Sequence, residues 1–168
     1  MLVLRSGTTE RDLMPFTAHE VVWKRSGYWA MVALPPDRIA ATADESRWLS
    51  AVAAMERTAD EANARPAYGT FLKRWPENVT AAIGLANAHY ALGALPDAER
   101  VLRDAMKRAP DSVIVLNNLA QTLSDQGKNE EALPLIERAV ERTGATSSPY
   151  SKAVLETRDT IRRRLAGK

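Results

Sequence analysis

A chain of 168 residues, 45% of them apolar and 26% charged, has the composition of an ordinary globular protein and length enough for one or two small domains. Its net charge of +2 argues against general affinity for nucleic acid or a membrane surface, and the absence of cysteine excludes disulfides and thiolate metal sites. No apolar run approaches the roughly 20 residues of a spanning helix, and nothing at Met1 has the pattern of a signal peptide.

The chain enters on a short apolar run, Leu2 to Arg5, punctuated by Ser6-Gly7 and followed by a mixed segment from Thr9 to Met14, which predicts strand, turn and strand. Thr17 with Glu20 forms a capping box for a helix that Gly27 can end, and Phe16 can staple to Val21. Tyr28 to Leu34 then reads as a buried strand that stops at Pro35-Pro36. Residues 1–35 are therefore expected to form a β-β-α-β segment, residues 36–42 a linker, and residues 43–168 a helical domain. Within that domain Thr42 with Glu45 and Thr58 with Glu61 are further capping boxes, which place helix starts near Ala43 and Ala59. Later helices are predicted over Asn78–Leu92, Leu95–Arg108, Ser112–Gln126 and Asn129–Arg142. A last one follows Ser148, with Pro149 in its first turn.

Two stretches superimpose at a spacing of 34 residues. From Val79 onward Leu85 meets Leu119, Ala86 meets Ala120, Gly93 meets Gly127, Ala98 meets Ala132 and Ala105 meets Ala139. Alanines where two helices approach closely, with a glycine between them, are the mark of helical hairpins that bury their apolar faces only against neighbouring hairpins. A weaker unit runs back from Pro76: Glu45 is its first residue, Trp48 its fourth, Ala64 its twentieth and Tyr68 its twenty-fourth, although Phe71 stands where a small residue is expected.

These residues resemble the tetratricopeptide repeat family: leucine at position 7, a small residue at 8, glycine at 15, alanine at 20 and 27, a large apolar residue at 24 (Leu102, Ile136) and proline at 32 (Pro110). Gly144 replaces that proline in the second unit, and Ala82 and Leu116 stand where position 4 is usually aromatic. The resemblance implies a mainly α fold, a right-handed α-α superhelix of three hairpins over about 45–78, 79–112 and 113–146. A capping helix over about 148–166 would place Tyr150 and Ala153 on positions 4 and 7 of the same frame.

Three short strands and one helix bury little apolar surface, so residues 1–35 read as the end of something larger. The string from Leu2 through the HEVVWKRSGYWAMVALPP run resembles the closing part of bacterial C39-like, papain-like cysteine peptidases, some of which continue into tetratricopeptide repeats. The family's cysteine and histidine would lie upstream, and its third group would fall near Arg5 or Ser6, neither a carboxylate nor an amide. No catalytic residue carries over, and a thiolate mechanism needs its nucleophile.

His19-Glu20 begins as a zinc-protease motif does, but Trp23 stands where the second ligand belongs, so no metal is expected there. His89, at position 11, is read as a satisfied interior histidine between the helices of a hairpin. No phosphate-binding loop, nucleophile elbow or paired-carboxylate constellation appears, and no cofactor is implied.

The resemblance instead puts the functional residues on the concave face of the first helices: Ile83, Asn87 and Tyr90, then Asn117, Asn118 and Gln121, with Ser124 and Asp125 further along, and Lys152 from the last helix. Amides both donate and accept, which suits the backbone of an extended peptide. Asn87, Asn118 and Lys152 also resemble part of the clamp by which some family members hold a peptide carboxylate, although Ile83 and Ser148 stand where that clamp has lysines. The run Arg158, Arg162, Arg163, Arg164 and Lys168 is read as a solvated helix end facing the carbonyl dipoles. The expectation is a non-catalytic module that holds a protein or peptide partner; the alternative is the C-terminal part of a C39-like peptidase, and a self-associating array is a third class.

Overall fold

The structure is a computed structural model that describes residues 2–6, 9–14, 35, 37–40, 43–58, 61–144 and 149–167. The chain divides into two units, Met1–Ala33 and Leu34–Lys168.

In the first unit β1 (Leu2–Ser6) and β2 (Thr9–Met14) pair antiparallel, with Leu2 opposite Met14 and Leu4 opposite Asp12. The register is irregular between Leu4 and Ser6. The helix expected from Thr17 and the strand expected from Tyr28 lie outside the described residues, as do His19, Glu20, Trp23 and Trp29.

The second unit holds seven helices among the described residues: α1 (Glu45–Thr58), α2 (Glu61–Arg74), α3 (Val79–Ala91), α4 (Leu95–Arg108), α5 (Val113–Asp125), α6 (Asn129–Gly144) and α7 (Ser151–Ala166). Gly93 and Gly127 explain the turns inside two hairpins. Their φ angles are +74° and +79°, a left-handed conformation that costs any residue with a Cβ about 1–2 kcal/mol. Each closes a double bond pattern over the helix end. Gly93 N–H donates to the Tyr90 carbonyl and Ala94 N–H to that of His89; Gly127 N–H donates to Ser124 and Lys128 N–H to Leu123. A helix that ends this way within three residues of the next start must return antiparallel to it.

Between hairpins, side chains at the helix starts take over. Asn78 Oδ1 accepts the Ala81 N–H at 2.8 Å while its Nδ2 donates to Glu45 Oε1 at 2.7 Å, so the start of α3 is tied to the start of α1. Two starts differ from expectation. Asp44 caps α1 by accepting the Arg47 N–H at 2.9 Å, because its carboxylate sits three residues before that orphan donor, and this backbone bond holds its pKa below the usual range. Thr58 is the last residue of α1 and α2 runs from Glu61, while the start expected near Ala59 lies outside the described residues. Pro149 lies in a turn ahead of α7, which starts at Ser151 with no side-chain cap.

The repeat alanines are the points of closest approach: Ala86, Ala98, Ala105, Ala120, Ala132 and Ala139 are all buried. Around them Leu102, Leu116, Leu119, Leu123 and Ile136 fill one core, which Val154 and Ile161 of α7 complete. Truncating one of these to alanine is worth about 2–5 kcal/mol. A second core joins α1, α2 and α3 through Val52, Tyr68, Phe71, Ala81 and Ala88, and Leu72 and Leu85 pack against both. Phe71, at a position expected to be small, is fully buried, with its ring 4.7 Å from that of Trp75. The α3 residues that share its core are the small Ala81 and Ala88, a redistribution of volume that leaves the core filled.

Candidate binding groove

The face shared by α3, α5 and α7 follows from the stacking of successive repeats, which brings side chains 31 and 35 residues apart on α3 and α5 within bonding distance. Asn118 Nδ2 donates to Asn87 Oδ1 at 3.0 Å, and Asn117 Nδ2 donates to Asn118 Oδ1 at 3.3 Å. Nearer the helix ends Gln121 Nε2 donates to the Tyr90 hydroxyl at 3.0 Å, and that hydroxyl donates to Asp125 Oδ2 at 2.5 Å. Burial and the Asp125 carboxylate push the Tyr90 phenol above its ordinary pKa, so it stays a donor. Asp125 Oδ1 receives Arg164 Nη1 of α7 at 2.7 Å, and the same nitrogen donates to Ser124 Oγ at 2.7 Å.

Two cavities open on this face. One, of about 370 Å³, is bordered by Tyr90, Asn117, Gln121 and Asp125 and by Glu156 and Arg164 of α7. The other, of about 300 Å³, is bordered by Asn87, Tyr90, Asn118 and Gln121 over a floor of Ala86 and Leu102. The structure thus brings Asn87, Tyr90, Asn117, Asn118 and Gln121 together. Ile83 packs against the main core and borders neither cavity. Lys152 is 88% exposed, stands 3.9 Å from Glu156 and borders neither as well, because it projects from the first turn of α7 while Ala153 and Thr157 face the cavity.

Arg164 was not recognisable as a groove residue within a run of basic residues. Its only sequence signal is the capping helix's place in the repeat frame, which sets α7 beside α5. Within this run Arg162, Arg163 and Arg164 are exposed, as expected of a solvated helix end, and the described arginines are also hydrogen-bonded. Arg162 pairs with Glu137 at 2.8 Å, Arg158 with Asp159 at 2.8 Å and Arg164 with Asp125; Arg163 donates to the Asp159 carbonyl and to Thr160 Oγ1. His89 also departs from expectation: its Nδ1 is buried without a hydrogen-bond partner among the described residues, and burial keeps the imidazole below its usual pKa range.

On the second helices a polar cluster ties two repeats together. Glu99, with a side chain only 13% exposed, accepts Arg103 Nε at 2.8 Å, Lys128 Nζ at 2.6 Å and Gln126 Nε2 at 2.9 Å, and Arg103 also reaches Glu131 at 2.6 Å. Burial alone would raise the Glu99 carboxyl, but these three donors outweigh it and bring its pKa down to about 2. Among the described residues no helix is long and apolar enough to cross a membrane, and no group of three or more histidine, aspartate or glutamate side chains is placed to hold a metal ion.

Comparison with known proteins accords with this architecture. The chain is similar to the TPR2B domain of yeast Sti1, solved as a pHsp70 complex, at 17% identity and a TM-score of 0.66 over 71% of this chain and 97% of that one. It is similar to the TPR2AB domain of yeast Sti1, solved as a pHSP90 complex, at 17% identity and a TM-score of 0.63 over 86% of this chain and 53% of that one. The MamA protein matches at 18% identity and a TM-score of 0.56 over 71% of this chain and 68% of that one. At these identities the likeness is one of fold. No curated protein matches by sequence. Tetratricopeptide repeat family models match residues 57–113 and 114–149, more than half of the chain, and through these repeats it belongs to the tetratricopeptide repeat family.

Proposed function

We propose that this chain is a non-catalytic interaction module that holds a peptide or a partner helix on the face formed by α3, α5 and α7. The observation that carries the reading is the convergence of Asn87, Tyr90, Asn117, Asn118 and Gln121 around two adjoining cavities, one of them floored by Ala86 and Leu102. Side-chain amides, able to donate and accept, suit a main chain whose side chains vary. Two structural neighbours were solved as complexes with pHsp70 and pHSP90, which supports partner binding as the use of such a face.

The test is a partner recovered by pull-down and mass spectrometry, then titrated calorimetrically against the chain and against the double variant Asn87→Ala, Asn118→Ala. Binding should weaken roughly tenfold or more while the melting temperature stays nearly unchanged, because the Asn118 to Asn87 bond is exposed and adds little to stability. Binding that survives both changes places the partner surface elsewhere. A second reading, that the natural protein is a C39-like peptidase with this chain at its C-terminal end, rests on the sequence resemblance of residues 1–35 alone. Coding sequence upstream of Met1 with a cysteine and a histidine in a β-rich frame would support it, and their absence would remove it.

A further inference from the structure

The groove's polar atoms have a direction, and that direction narrows what it can take. Asn117 donates to Asn118 and Asn118 to Asn87, so one amide chain crosses from α5 to α3. At its α5 end Asn117 Oδ1 is buried with no hydrogen-bond partner among the described residues, a destabilising state that native structures seldom carry without a use. At its α3 end the Asn87 NH₂ group is a donor. An acceptor at one end and a donor at the other match the N–H and C=O of an extended main chain, and a turn of the Asn117 amide about its soft χ2 torsion, which gives up the long 3.3 Å bond to Asn118, presents its oxygen to the cavity that the residue borders.

Charge sets the second limit. The charged side chains bordering the two cavities are Asp125, Glu156 and Arg164. Arg164 is committed to Asp125 and Ser124, both at 2.7 Å, so an entering carboxylate would lose its hydration without meeting an uncommitted cation. Glu156, by contrast, is 67% exposed at the rim, and its ion pair is with Lys152, 3.9 Å away and 88% exposed, an open contact that an incoming cation can replace.

We infer that the groove receives an internal, extended segment of a partner chain, with a lysine or arginine side chain set beside Glu156 and one backbone N–H bonded to Asn117 Oδ1, and that it rejects a free C-terminal carboxylate. The inference rests on the groove reading above and deepens it.

The probe is a pair of random hexapeptide libraries of identical composition, one anchored through its C-terminus and the other displayed with that terminus as a free acid, each screened with the full chain and with the Asn87→Ala, Asn118→Ala variant. Groove-dependent binders should come from the anchored library and be enriched in lysine or arginine. The best of them, remade as a soluble amide, should bind at least as well as its free acid. Asn117→Leu should weaken that binding roughly tenfold. The same change should leave the melting temperature of the unliganded chain equal or higher, since it removes a buried unpaired oxygen. Groove-dependent binders confined to the free-acid library, or enriched in acidic residues, overturn this inference and leave the groove reading standing. Absence of groove-dependent binders from both libraries overturns both. Affinity unchanged in Asn117→Leu removes the backbone bond assigned to that residue.

Discussion

Gly84 offers the sharpest test of how the first two hairpins pack. A Cβ at this position would overlap the Cζ and Cε atoms of the Tyr68 ring, which is buried between α2 and α3 and donates to Glu56 Oε2 at 2.6 Å. Gly84→Ala forces that ring to move. Overpacking in a filled core costs about 1–3 kcal/mol, and loss of the Tyr68 to Glu56 bond adds about 1 kcal/mol. The helix preference of alanine over glycine returns about 1 kcal/mol, so the net loss is about 1–3 kcal/mol. For a domain of this size that lowers the melting point by roughly 4–10 °C. Tyr68→Leu shortens the side chain by the atoms that would overlap. In that variant Gly84→Ala should therefore stabilise, by up to about 1 kcal/mol. Thermal and urea denaturation of the four chains of this double-mutant cycle give the coupling directly. Equal effects of Gly84→Ala in both backgrounds, or a gain in the parent chain, would refute the packing argument.

Gly127→Ala isolates backbone conformation from space, because nothing lies within 4 Å of the added Cβ while φ is +79°. It should cost about 1 kcal/mol in urea denaturation, and Gly127→Asn, which tolerates the left-handed region better, should cost less. Glu99 makes stability fall in acid. Its folded pKa of about 2 lies below the ordinary value near 4.5, so its contribution is complete above pH 4.5 and is lost as pH falls from there towards 2. With solvent screening at this cluster the loss is about 1–2 kcal/mol. Glu99→Gln should flatten that part of the stability profile measured by urea denaturation, and an unchanged acid limb would count against the cluster.

Much of the helical unit was legible because its determinants are local and repeat. Gly93 and Gly127 stand where a Cβ is penalised, and the alanines at positions 8, 20 and 27 stand where helices touch, so both signals recur at 34 residues whatever the partner. The helix starts were less legible wherever several residues can accept the same orphan N–H: Asp44 caps α1 although Thr42 with Glu45 has the capping-box spacing. The frame positions of Asn87, Tyr90, Asn117, Asn118 and Gln121 come together on one face, whereas Ile83 packs against the core and Lys152 projects from a helix end, placements that depend on how neighbouring helices cross.

What the sequence determined by itself is the hairpin array, through left-handed turns and a small-residue period that need no knowledge of which atoms meet. Only the tertiary structure decided how the groove is wired: that Asn118 spends its donors on Asn87, that Arg164 reaches 39 residues back to neutralise Asp125, and that the Tyr68 ring occupies the space beside Gly84. Those pairings depend on rotamers and helix crossings between elements far apart in the chain, and a periodic pattern records the faces that meet without recording which donor finds which acceptor.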